Sequence, residues 1–283
     1  MSRDRTHVRR QPDRGRYDGP SIDAVLDAGL VAHVAFVESG QPFCIPMLFA
    51  RVDGSVYIHG STASRTIRSL ATGVPACLTV TLIDGLVLAR SAFEHSANYR
   101  SAVLLGSFRA VKEELQKTAA FEAFTNKLVP GRWDEVRSPS PQELRSSMIL
   151  ELPISEASVK VRTGPPSDDD SNDAALPTWA GVVPLVSRFE DPIPSPGLAD
   201  GIPLAESVRS LAALPERLSG RRALRPMGYG KPPTGRAVVP AQAGTHYPPV
   251  GGVRRRSERA INHSVMGSPT LTRSGPANAS RKM

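Results

Sequence analysis

The chain is poor in whatever staples, spans or chelates. Its 283 residues include two cysteines, Cys44 and Cys77, each inside an apolar strand-like run. A pair so placed reads as two buried free thiols rather than a disulfide or a metal site. Six histidines are present without any HExxH or CxxC pattern, so no metal centre is expected. No apolar run approaches the roughly 20 residues that span a bilayer. Met1 to Arg16 is charged and polar, without the apolar core of a secretory signal. A cytoplasmic location with no membrane partner is the expectation. GxGxxG is also absent, and strands do not alternate with helices as βαβ units require, which argues against a Rossmann domain.

Acidic charge is scarce in one place only. The formal net charge is +8, yet Arg221 to Met283 holds twelve Arg or Lys against a single acid, Glu258. Residues 1–220 therefore carry a net −3, and a nucleic-acid reading would rest on the tail alone. That tail is rich in Gly, Pro, Arg and Ser and lacks the aliphatic content to offset its chain entropy. Within it, Val238 to His246 (VVPAQAGTH) resembles the peptide obtained when a common bacterial intergenic repeat is translated. The expected organisation is a flexible N-terminus (1–16), one folded domain (17–214) and a disordered basic extension (215–283).

What is present in the first 200 residues is β-signal. Ser21 reads as a helix cap, with Ile22, Val25 and Leu26 on one face and Gly29 as the stop. Strands are expected at Leu30 to Val37, Pro42 to Arg51 and Val56 to His59, joined through Glu38-Ser39-Gly40 and the hairpin signal Asp53-Gly54. Ala76 to Ile83 is a further strand, and Asp84-Gly85 reads as a second hairpin turn. Leu86 to Phe93 and Arg100 to Val111 pair next, and a helix spans Glu113 to Leu128 until Pro130-Gly131 breaks it. Strands follow at Met148 to Leu152, Ala157 to Val161 and Val182 to Val186, with Asp168-Asp169-Asp170 in a solvated linker. Six to eight antiparallel strands with few helices predict a mainly β protein, a β-barrel with flanking helices.

The segment Val56 to Leu70 carries the chemistry. An apolar strand ends at Gly60, small hydroxylic residues follow, and a helix begins near Ser64-Arg65. A helix start offers unpaired N–H groups, Ser64 can cap it, and Arg65 can fork onto a phosphate. The spacing describes an anion site.

Five segments together resemble the pyridoxamine 5′-phosphate oxidase-related flavin proteins, the antiparallel FMN-binding split barrel. They are LVAHVAFV (30–37), VYIHGSTASR (56–65), LVLARSAFEHSANYRSAVLLG (86–106), VPGRWDEV (129–136) and KVRTGPP (160–166) with Trp179-Ala180-Gly181. The likeness covers roughly residues 15–205 and is nearest to the nitroimidazole-resistance-type reductase branch, in which two subunits build two FMN sites at their interface. It implies a homodimer and places flavin contacts at His59, Gly60, Ser64, Arg65 and Thr66. It implies further contacts at Tyr99, Arg100, Ser101, Lys160, Arg162 and Trp179. Two departures stand out. Arg65-Thr66 replaces the oxidases' Arg-Lys, and Arg100-Ser101 lies where they carry a Gln, so pyridoxamine phosphate oxidation itself is doubtful.

The implied activity is that of an FMN-dependent oxidoreductase. Electrons would pass from a reduced nicotinamide through FMN to a small nitro or quinone acceptor. Lys160 or Arg162 near the pyrimidine edge would favour the reduced anion. His95 is the candidate catalytic residue, orienting or protonating a substrate, against a structural loop hydrogen bond. His59 is open between ligand contact and packing. Rival readings are a non-enzymatic flavin carrier or sensor, a haem protein on the same fold with His95 or His59 as axial ligand, and a nucleic-acid binder acting through the tail.

Overall fold

The computed structural model describes residues 5–169 and 171–213. The expected extension at 215–283 lies outside the described residues. Eleven described strands are interrupted by five α-helices: β1 (Gly15–Arg16), α1 (Gly19–Ala28), β2 (Val31–Glu38), β3 (Gln41–Leu48), β4 (Ala50–Val52) and β5 (Ser55–Ser61) come first. Then follow α2 (Arg65–Ala71), β6 (Pro75–Leu88), β7 (Ser96–Ser107), β8 (Arg109–Ala110), α3 (Glu114–Leu128) and α4 (Pro141–Ser146). The last are β9 (Ser147–Pro153), β10 (Glu156–Arg162), β11 (Gly181–Pro184) and α5 (Glu206–Ala212).

All pairings are antiparallel. One sheet runs β1-β10-β7-β6-β2-β3 with β11 added on β6, and the other runs β4-β5-β9-β8. Neither path closes on itself, so the expected barrel is a split one. Period-two burial builds the core between the sheets. Ala32, Val34 and Phe36 of β2 meet Leu78 and Val80 of β6, Ala102 and Leu104 of β7, Val56 and Ile58 of β5, and Leu150 and Leu152 of β9. Ile22, Val25 and Leu26 of α1 and Ile67 and Leu70 of α2 complete it. Strand β9 is buried on both faces: Ile149, next to Leu150, turns the other way into a second cluster with Ala50, Val111, Ala120 and Phe124 beneath α3.

Two turns form as their residues demand. Ser39 and Gly40 adopt φ of 51° and 80° between β2 and β3, and Asp53 adopts 48° between β4 and β5. The third expected turn does not form. β6 runs unbroken through Asp84-Gly85 with a register shift between Ile83 and Gly85. Gly85 is there for close approach: a Cβ would stand 3.0 Å from the Val183 carbonyl oxygen of β11. The chain turns instead at 89–95.

Three smaller expectations are also corrected. Asp18, not Ser21, caps α1 by accepting from the Ser21 N–H at 2.9 Å, because Pro20 is at home in a first turn and the helix starts earlier. Helix α4 was missed, although Ser140 and Glu143 form a reciprocal capping box. Cys44 is exposed and Cys77 half-buried, since their alternation puts both on the outer face of the larger sheet, in register on either side of Ala35.

Candidate functional site

Strand β5 delivers His59 and Gly60 to the start of α2. Ser64 caps that helix, its hydroxyl accepting from the Ile67 N–H at 3.5 Å. A Cβ on Gly60 would meet Ile67 Cγ1 at 2.8 Å, so glycine lets the strand end lie against the helix. The Arg65 guanidinium lies 4.3 Å over the Phe43 ring, and its Nε is 3.7 Å from a Glu38 carboxylate oxygen. Glu38 also accepts from the Ser69 hydroxyl. The Arg65 side chain is 60% exposed. Arg65 and Thr66 occupy the first two helical positions, whose N–H groups precede the intrahelical ladder. Since α2 has seven residues, its dipole is small, and the guanidinium is the principal anion-binding group here.

His59 is held differently. Its ring lies 4.6 Å edge-on from Phe124 and 5.5 Å from Phe121, both on α3. Burial among these rings pushes its pKa below the ordinary 6.5, so the neutral imidazole is favoured.

The remaining expected residues lie on β7, on β10 and just before β11. The register sets Tyr99 opposite Arg162 and Ser101 opposite Lys160 across β7 and β10. Arg100 is buried and forks onto Asp84 of β6, with Nε 2.9 Å and Nη2 2.7 Å from the two carboxylate oxygens. Arg162 is buried too. It donates to the Asn98 side-chain oxygen at 2.5 Å and to the Pro165 carbonyl at 3.1 Å. Arg100 thus ties β7 to β6, and Arg162 ties β10 to β7 and to the loop that follows β10. Ser101 shares a 3.1 Å hydroxyl contact with Thr81, and Lys160 donates to the Arg10 carbonyl at 3.0 Å. Trp179 precedes β11, is 67% exposed, and packs its indole on Gly181, where a Cβ would stand 3.0 Å from the ring.

Four partners escaped the sequence reading: Asp84, Asn98, Arg90 and Asp168. Asp168 was expected in a solvated linker, and Asp170 of the same run lies outside the described residues. Asp168 is instead 1% exposed, accepting from the Arg90 N–H at 2.6 Å and from its guanidinium at 3.2 Å. The acidic run hid this, because nothing local tells a docked Asp from a solvated one. His95 is exposed in the loop before β7, with Nδ1 2.8 Å from the Ser91 carbonyl oxygen.

Comparison with known proteins follows this geometry. The family model for pyridoxamine 5′-phosphate oxidase matches residues 18–161. Among solved structures, the flavocytochrome Anf3 from Azotobacter vinelandii is 41% identical, with a TM-score of 0.69 over 74% of this chain and 96% of that one. The FAD and haem binding protein from Mycobacterium smegmatis is 40% identical, with a TM-score of 0.67 over 70% of this chain and 97% of that one. No curated protein matches. By their names, these two relatives bind flavin and haem. The chain belongs to the pyridoxamine 5′-phosphate oxidase family and has its antiparallel split-barrel fold.

Proposed function

We propose that this protein is a flavin- and haem-binding oxidoreductase that moves electrons between a reduced donor and a small acceptor. The observation that carries the reading is the identity of about two residues in five to a flavocytochrome and to an FAD and haem binding protein, over nearly their whole lengths. Bound flavin supplies two-electron acceptance with one-electron release, and haem iron supplies single-electron transfer.

The residues fit the flavin half. Arg65 binds the phosphate of the FMN moiety, which FMN and FAD share, taking the phosphate in place of its long contact with Glu38. Thr66 and the Ser64 turn border that group, while Tyr99, Ser101, Lys160 and Trp179 surround the ring system. Arg100 and Arg162 act from beneath, holding β6, β7 and the 163–165 loop in place through Asp84 and Asn98. A reduced nicotinamide is the donor and a nitro or quinone compound the acceptor class. A second copy of the chain completes the site by covering the outer face of β2 and β3, where Val31, Val37 and Leu48 stand exposed.

The test is the purified full-length protein. Its visible spectrum and the masses of its released cofactors identify the flavin and the haem, turnover with reduced nicotinamide and an acceptor panel establishes catalysis, and light scattering gives the oligomer. Flavin without haem would favour the second reading, a flavin-only oxidoreductase of the family. Bound cofactors without turnover would make the protein a carrier or sensor.

A further inference from the structure

His95 sits one residue before β7, and its hydrogen bond fixes its chemistry. A carbonyl oxygen only accepts, so the 2.8 Å contact with Ser91 makes Nδ1 the donor, and in the neutral ring with that tautomer Nε2 carries the lone pair. Among the described residues no hydrogen bond engages Nε2. This is the arrangement of a metal-bound histidine, in which the second ring nitrogen donates to a carbonyl that sets tautomer and orientation.

Exposed apolar side chains stand in the same loop and on the strand before it, beside the charged Glu94 and the Arg90–Asp168 pair. Phe93, two residues earlier in the same loop, is 90% exposed, and Leu86 on β6 is 52% exposed. The register Val182 to Val87 to Ser96 brings β11, β6 and the start of β7 into one row, so the exposed Trp179 stands at the same end of the sheet as His95. Large exposed apolar side chains grouped at one end of a sheet mark a place that something flat and apolar covers.

The other described histidines offer less. His59 is wedged against Phe121 and Phe124 in the second core cluster. His7 stacks on Tyr17 at 6.0 Å and shares a contact with its hydroxyl. His33 lies mid-strand on β2, opposite Pro46 of β3 and Thr79 of β6.

Resting on the haem reading above, we propose that His95 Nε2 is the axial ligand of the haem iron, with Phe93 and Trp179 packed against the macrocycle. The experiment uses the full-length protein expressed with a haem precursor, scored for Soret absorbance and for haem and flavin per chain. His95→Ala is expected to lose at least about tenfold of its haem while keeping its flavin, with added imidazole restoring a Soret band. His95→Met is expected to keep haem with a displaced Soret maximum and an altered electron paramagnetic resonance spectrum. Wild-type haem content and spectrum in both His95 variants would overturn the ligand assignment alone. A wild-type protein that neither contains haem nor takes up added hemin would overturn the haem reading together with it.

Discussion

Arg100 of β7 and Asp84 of β6 form a two-pronged ion pair, 2.9 Å and 2.7 Å, with the Arg100 side chain 7% exposed. The pair explains why β6 keeps going where its sequence spells a turn. The guanidinium needs a carboxylate at that point of the neighbouring strand, and Asp84 provides it only if the strand is extended.

Asp84→Asn should therefore destabilise the domain by about 3 kcal/mol, because it removes the carboxylate charge onto which the buried guanidinium forks. The double variant Asp84→Leu/Arg100→Met should lose less than the single one. Urea denaturation of the three proteins checks the order, and equal losses would show that burial of the charge is not the cause.

Gly85 gives a second, independent check of the same strand. In a hairpin turn Asn would be accepted there. Against the Val183 carbonyl at 3.0 Å from the would-be Cβ, Gly85→Asn is expected to cost about 1–3 kcal/mol. Unchanged thermal stability would restore the turn.

His59 carries a pH dependence whose sign follows from its burial. Its folded pKa lies below 6.5, so the unfolded chain binds the proton more tightly. The stabilisation is full above pH 6.5 and fades as pH falls through the folded value. His59→Gln, which does not titrate, should show a shallower loss of stability than wild type as pH falls below 6.5. Parallel curves from denaturant titrations at several pH values would contradict this.

Arg65 tests the anion site. Removing one charge-assisted contact to phosphate is worth about 1.5–3 kcal/mol, so Arg65→Ala should weaken flavin binding roughly 10- to 100-fold, with Arg65→Lys between it and wild type. Quenching of flavin fluorescence reads the affinity. An unaltered Kd in Arg65→Ala would move the phosphate elsewhere.

Local chemistry made much of this fold legible. Ser39-Gly40 and Asp53-Gly54 turn where they should because left-handed backbone is a local preference, and Ser64 caps α2 for the same kind of reason. The strands β2 and β6 were legible from their runs of β-forming residues. Asp84-Gly85 misled because its fate is decided by Arg100, 16 residues away, and by β11, which returns about a hundred residues later. Asp168 misled likewise, since its partner Arg90 is 78 residues distant. At the candidate site, the strand-to-helix turn between β5 and α2 with its Ser64 cap was legible in the sequence. Nothing local showed that Arg100 and Arg162 are buried among Asp84, Asn98 and backbone carbonyls, because which side of a strand end meets a loop is settled by tertiary contacts. The capping box at Ser140 and Glu143 was readable and went unread.

The most direct test of the central claim is the visible absorption spectrum of the purified full-length protein, followed by mass spectrometry of what it releases. Flavin bands near the blue, a Soret band, and one flavin and one haem per chain are the expected result. A colourless protein that takes up neither added flavin nor added hemin would contradict it.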